Sequence, residues 1–169
     1  MKIFVVVGTQ EPFDRMIKAI DKWAGDNPGN EIFAQISHAG YLPVNMEYTD
    51  FITPDIFDQR FNEADLIVSH AGMGTIISAL RNSKPIVVMP RFAQYHEHRN
   101  DHQIATAQSF EKLGFVNAAY TDLELFGFLN NASSLTAAPT IGPAASPALI
   151  AKLRQFIEEI GRASCRERV

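Results

Sequence analysis

The sequence predicts an α/β fold: a Rossmann-like, mostly parallel sheet with helices on both faces. Three observations predict it. Short apolar runs alternate with helical patterns, the mark of βαβ units. The runs KIFVVV, DLIVSH and PIVVMP are almost continuously apolar, as strands covered on both faces are. Polar, glycine-bearing segments follow several of the strands, where open α/β sheets bind their ligands.

The first run, Lys2 to Val7, ends at Gly8 and reads as a buried strand. Phe13, Ile17, Ile20 and Ala24 then recur at helical spacing until DNPGN stops the helix. EIFAQIS alternates like a strand, and NMEYTDFI is a weaker one. Thr53 and Pro54 read as the N-cap and first residue of a helix running to about Glu63. DLIVSH is a strand. GMGTIISALRNS is a helix opened by glycines and closed at Asn82 and Ser83. KPIVVMP is a strand, DHQIATAQSFEKLG a helix with Gly114 at its end, and FVNAAY a further strand. Thr121 and Glu124 form a T-x-x-E capping box over a short helix. The small-residue loop NNASSLTAAPTIGPAASP leads to a final amphipathic helix capped by Ser146 and Pro147.

The 169 residues suit one domain, with 46% hydrophobic and 20% charged residues. A net charge of −4 argues against a nucleic acid partner, since phosphate backbones call for a basic face. The apolar start is too short for a signal peptide, and no run reaches the roughly 20 residues of a membrane span. A cytoplasmic protein is expected. The lone Cys165 excludes a disulfide framework. It lies in EIGRASCRERV, which reads like the translation of a sequencing adapter. The expected organisation is one domain over residues 1–159 and a non-native tail over 160–169.

Three segments carry candidate chemistry. In SHAGMGT, Gly72 and Gly74 allow close backbone approach, and the helix start beyond them offers unpaired N–H groups to a diphosphate. Ser69 and Thr75 add hydroxyls. The same residues equally make a tight strand-to-helix turn capped by Thr75. The segment lacks both G-x-G-x-x-G and the P-loop lysine. VGTQEPFDR is a second glycine turn, with Thr9 and Gln10 at the ligand edge or simply opening a helix. QYHEHRNDHQ has three readings. HEHRNDH carries one residue more than the H-x-H-x-D-H motif of binuclear hydrolases, which rotates the later ligands by about a third of a turn. A solvated polar loop is the second reading. The third is recognition of sugar hydroxyls by Asn100, Asp101, His102 and Gln103, with Arg91, Arg99 and the histidines facing phosphate.

VGTQ with PFDR, ADLIVSHAGMGTIISAL, KPIVVMPR and EHRNDHQIATA together resemble the C-terminal domain of glycosyltransferase family 28. The similarity is to its stand-alone bacterial members in capsule and exopolysaccharide synthesis. It extends to the small subunit of the eukaryotic two-part transferase that adds the second N-acetylglucosamine to dolichol. The resemblance runs from about Val5 to about Ala119. It implies the C-terminal half of a GT-B glycosyltransferase, binding a UDP-sugar and needing no metal or other cofactor. Gly8 and Thr9 would meet the diphosphate or the acceptor side. Ser69, His70, Gly72, Met73, Gly74 and Thr75 would hold uridine and diphosphate. Asp101, His102 and Gln103 fall where the family contacts the donor sugar, with Gln103 foremost. Arg91, Glu97, His98 and Asn100 complete the expected nucleotide-sugar site. Where many relatives carry a ribose-gripping glutamate, this chain has Ser78. The resemblance also implies a membrane-associated partner subunit that supplies the acceptor-binding half and a polyprenyl-linked sugar acceptor, as a heterodimer at the inner membrane face. The catalytic base stays open among Glu97, His98, Asp101, His102 and the partner.

Overall fold

A computed structural model describes residues 1–140 together with Gly142 and Ala151. The expected helix after Ser146 and the tail over 160–169 lie outside the described residues.

The chain runs β1 (Lys2–Val6), α1 (Asp14–Asp26), β2 (Glu31–Gln35), β3 (Glu47–Thr49), α2 (Pro54–Glu63), β4 (Leu66–His70), α3 (Met73–Arg81), β5 (Ile86–Met89), α4 (His102–Lys112), β6 (Asn117–Ala118) and α5 (Asp122–Asn130). The six strands are all parallel, in the order β3-β2-β1-β4-β5-β6. The chain builds outward from β1 to β3, then returns to β1's other side as β4. Between β1 and β4 the winding reverses, and there the loops beyond the strand ends diverge and open a crevice.

Strand alternation explains the apolar runs. Ile3 and Val5 face α1 and α5, where Ile17, Ile20, Trp23, Leu125 and Leu129 cover them. Phe4 and Val6 face the other layer, under Phe61, Ile76, Leu80 and Ala107 of α2, α3 and α4. Both faces are dry, so no strand position near the centre can be polar without a partner.

β2 departs from the expected alternation: Ile32 to Gln35 are all buried. Helices on both faces leave it no solvent side. Its polar member, Gln35, satisfies its amide by donating to the Gly8 carbonyl at 3.0 Å and the Asp50 carbonyl at 2.8 Å. No helix makes the β2–β3 crossover; a loop does, pinned by Asp21 of α1. That carboxylate, 1% exposed, accepts from Tyr41 Oη at 2.7 Å, Val44 N at 3.0 Å and Asn45 N at 2.7 Å.

The helix boundaries follow the sequence signals. The capping box at α5 is complete: Glu124 N donates to Thr121 Oγ1 at 3.2 Å, and Thr121 N to Glu124 Oε2 at 3.0 Å. Thr53 holds the N-cap position of α2, but its hydroxyl makes no cap bond; Pro54 sits at the helix start instead. Only two residues of FVNAAY join the sheet, as β6. The small-residue loop begins with a single 3-10 turn, Ala132–Ser134. Among the described residues no helix is long and apolar enough to cross a membrane.

Candidate functional site: a cleft at the switch point

The loops after β1, β4 and β5 meet over one cavity of about 690 Å³. Gly8, Thr9, Gln10 and Glu11 line it from the first loop, His70, Gly72, Gly74 and Thr75 from the second, and Arg91, His98 and Gln103 from the third. SHAGMGT and the corner ending in Gln103 therefore face each other across a shared crevice. A size of hundreds of Å³ suits a ligand larger than a monosaccharide.

His70 is the centre of the floor. A Cβ on Gly72 would lie 2.1 Å from its Nε2, and one on Gly8 would lie 2.9 Å from its Cε1. These glycines make room for an imidazole. Gly8 also holds φ +85°, a left-handed backbone that other residues resist. Gly74 differs: a Cβ there would meet nothing within 4 Å. Glycine weakens a helix relative to alanine by up to about 1 kcal/mol, and no neighbour in the protein requires it here. Its vacancy opens onto the cavity. Burial lowers the His70 pKa to about 4, with Arg91 adding to the effect, so the ring is neutral near pH 7.

Arg91 underlies the third wall and is 2% exposed. Its guanidinium donates to the carbonyls of Val7 at 2.8 Å and Glu11 at 2.6 Å, and lies over the Phe13 ring at 5.0 Å. Its Nε has no hydrogen-bond partner. Desolvation lowers its pKa, opposed by Glu11 and Glu97. Arg91 thus clamps the first loop to the end of β5. Its backbone N–H donates to Gln103 Oε1 at 3.2 Å, which leaves the Gln103 amide NH₂ for the cavity.

Several expected residues stand back from the cavity. Ser69 is fully buried at the end of β4. Met73 points outward, 45% exposed. Glu97 pairs with Arg15 of α1 through contacts of 2.7 and 3.0 Å and accepts from Phe92 N at 3.0 Å; it anchors the histidine-rich loop. Asp101 accepts from Ala93 N at 2.8 Å. Asn100 and His102 are exposed at the cleft mouth and bonded to each other. Ser78 is half-buried one turn beyond Thr75 and does not line the cavity. Among the described residues no three His, Cys, Asp or Glu side chains form a metal-binding group. His96, at φ +56°, does not line the cavity, while His98 does and packs edge to face on His102.

The opposite end of the cavity was not foreseen from sequence. Phe51, Ile52, Pro54 and Phe57 form an apolar shelf beside Gln35. These residues come from the turn and first helical residues after β3, where apolar side chains read as ordinary packing. Only the crossover geometry brings them to the crevice. The cleft thus has an apolar end, a helix start with hydroxyl and imidazole at its middle, and an amide-and-imidazole end.

Comparison with known proteins agrees with this architecture. Residues 2–132 match the model of the glycosyltransferase family 28 C-terminal domain. The chain is 42% identical over 77 residues to the UDP-N-acetylglucosamine transferase subunit ALG13 of Eremothecium gossypii, covering 45% of this chain and 36% of that protein. It is 35% identical over 78 residues to an Opitutus terrae UDP-N-acetylglucosamine--N-acetylmuramyl-(pentapeptide) pyrophosphoryl-undecaprenol N-acetylglucosamine transferase, covering 46% of this chain and 19% of that one. The match to each of these curated relatives thus spans well under two thirds of the relative's length. A solution structure of ALG13 superposes with a TM-score of 0.58 at 20% identity, covering 90% of this chain and 94% of that one. At that identity the superposition establishes the fold, which is that of the C-terminal half of GT-B glycosyltransferases.

Proposed function

The chain belongs to the glycosyltransferase family 28 C-terminal domain family, and from that premise we propose that it is the donor-binding, catalytic subunit of an inverting UDP-sugar transferase. The observation that carries the proposal is the three-part cleft. Its apolar shelf of Phe51, Ile52 and Phe57 suits a flat base. Next along the cavity, the N-terminus of α3 with Thr75 and His70 suits a diphosphate, through unpaired N–H groups and the positive dipole end. At the far end, Gln103 and His98 offer donors and acceptors to sugar hydroxyls. A uridine diphosphate sugar has the same three parts in the same order.

Catalysis in this scheme is electrostatic. The departing UDP gains negative charge where the α3 start and the buried Arg91 charge favour it. The donated sugar is a hexose or hexuronic acid, with N-acetylglucosamine the donor named in the matched relatives. The acceptor is a polyprenyl-diphosphate-linked sugar in exopolysaccharide or capsule assembly in a bacterium. A membrane-associated partner subunit presents it and recruits this chain to the inner membrane face.

Calorimetry with UDP and UDP-N-acetylglucosamine tests the cleft. Gly74→Val adds bulk at a position where a Cβ meets no protein atom within 4 Å, and thermal unfolding of the variant checks that it folds. The expected result is measurable binding by the native chain and at least a tenfold loss in the variant. Equal affinity in both, or no binding to the native chain, overturns the proposal.

A further inference from the structure

Two glutamines stand in the cleft wall and are set in opposite senses. Gln103 accepts through Oε1 from the Arg91 backbone N–H at 3.2 Å and leaves its NH₂ for the cavity. Gln35 does the reverse. Its Nε2 donates to the Gly8 carbonyl at 3.0 Å and the Asp50 carbonyl at 2.8 Å, which uses both amide protons. A carbonyl cannot donate, so the other amide orientation would set Oε1 against two oxygens. Among the described residues no donor reaches Gln35 Oε1, and it is not one of the buried atoms left without a partner. Gln35 is 3% exposed and lines the cavity, so its one open acceptor faces the crevice. The backbone beneath is equally fixed. Gln35 ends β2, paired with Val6 of β1 on one side and Thr49 of β3 on the other, and its carbonyl accepts from Val7 N at 3.1 Å. The acceptor is held in place before any ligand arrives, with little rotamer freedom left to lose.

We propose that Gln35 is the residue that selects the nucleobase: its Oε1 accepts from the N3–H of a uracil laid on Phe51, Ile52 and Phe57. The inference rests on the transferase reading above and names the side chain that makes the donor a uridine nucleotide. Gln35 stands at the apolar end of the cleft, since the Asp50 carbonyl that holds its amide directly precedes Phe51.

Uracil carries a proton at N3 between two carbonyl oxygens. Cytosine carries a lone pair at N3, which would face the lone pairs of Oε1. Gln35 cannot turn over to suit it, because the loops after β1 and β3 hold both of its amide protons. The cytosine donor sits at C4 instead. Meeting Oε1 through it would displace the ring by one position relative to the diphosphate at the start of α3. A site with a fixed acceptor rejects a ligand that lacks the matching donor, because the acceptor is then left unpaired. The opposed glutamines also fix which way round the ligand lies: an N–H donor meets Gln35, and the oxygens of the sugar meet the Gln103 amide.

Calorimetry of the native chain with UDP, 3-methyluridine diphosphate and CDP reads the preference. UDP should bind about tenfold tighter, or more, than either analogue. Carbon-13 spectra of the same chain read the bond itself. The Gln35 Cδ resonance should move when UDP saturates the site and stay when 3-methyluridine diphosphate does. In Gln35→Met, with its folding checked by thermal unfolding, UDP and 3-methyluridine diphosphate should bind within about threefold of each other. Should that variant fail to fold, the two measurements on the native chain decide alone. Equal affinity of the native chain for UDP and 3-methyluridine diphosphate overturns the inference, as does a Gln35 Cδ that UDP leaves unmoved. So does a Gln35→Met chain that keeps the full N3 preference but loses the preference for UDP over 2′-deoxyuridine diphosphate, since the acceptor then serves the ribose. Each of these outcomes leaves the transferase reading standing. A native chain that binds no UDP overturns that reading and this inference with it.

Discussion

Gly72 and His70 occupy one space: a Cβ on the glycine would stand 2.1 Å from the imidazole Nε2. The turn that opens α3 is therefore built around a side chain two residues earlier, and the glycine is a steric consequence of the histidine. Gly72→Ala should destabilise the fold by about 1–3 kcal/mol, as overpacking does. Adding His70→Ala should recover most of that loss. Denaturant unfolding of both single variants and the double variant measures the coupling, and additive losses would contradict the shared space.

His70 also makes stability depend on pH. Its pKa is lowered from the usual 6.5 to about 4 in the folded chain by burial first and Arg91 second. Between those values the unfolded chain binds the extra proton. Stability is then complete above about pH 6.5 and falls as pH drops toward 4, at a slope approaching about 1.4 kcal/mol per pH unit. Below pH 4 this residue causes no further loss. Unfolding free energies measured across that range should flatten in His70→Gln.

Asp21 holds the β2–β3 crossover through three donors on a loop that has no helix of its own. Asp21→Ala leaves Val44 N and Asn45 N without their carboxylate. A loss of about 2–4 kcal/mol is expected, since hydrogen bonds to charged groups contribute about 1.5–3 kcal/mol each and the loop partly relaxes into water. Limited proteolysis should then cut within residues 38–46 at a concentration of protease that spares the native chain.

Thr121→Ala removes one half of the α5 capping box. The expected cost is about 1 kcal/mol. Because α5 packs on the face away from the cleft, with Leu125 and Leu129 against the β1 side of the core, UDP affinity should not change. Thermal unfolding and calorimetry on the same sample separate the two effects.

Much of this architecture was legible in the sequence because it rests on local rules. Continuous apolar runs mark strands buried on both faces, and T-x-x-E marks a helix start wherever it occurs. The first and second glycine turns were legible as ligand-edge loops for the same reason. The roles within them were not. Gly72 lines the cavity and also makes room for His70, a second role that no local pattern shows because a wedged ring is a tertiary fact. Glu97 reads as a candidate base, yet its partner Arg15 lies 82 residues away in sequence. The shelf of Phe51, Ile52 and Phe57 gives no chemical signal at all. Apolar residues after a short strand look like core until the crossover carries them to the crevice.

Arg91 ties the stability of the sheet end to the cleft. Its buried charge rests on backbone carbonyls, and among the described residues no carboxylate bonds it. Glu11 and Glu97 offset that charge without bonding it, so an anion held in the cleft adds to the counter-charge on Arg91. Folding and ligand capture are thus coupled through one side chain, so that a small dianion should tighten the whole sheet end as well as fill the crevice.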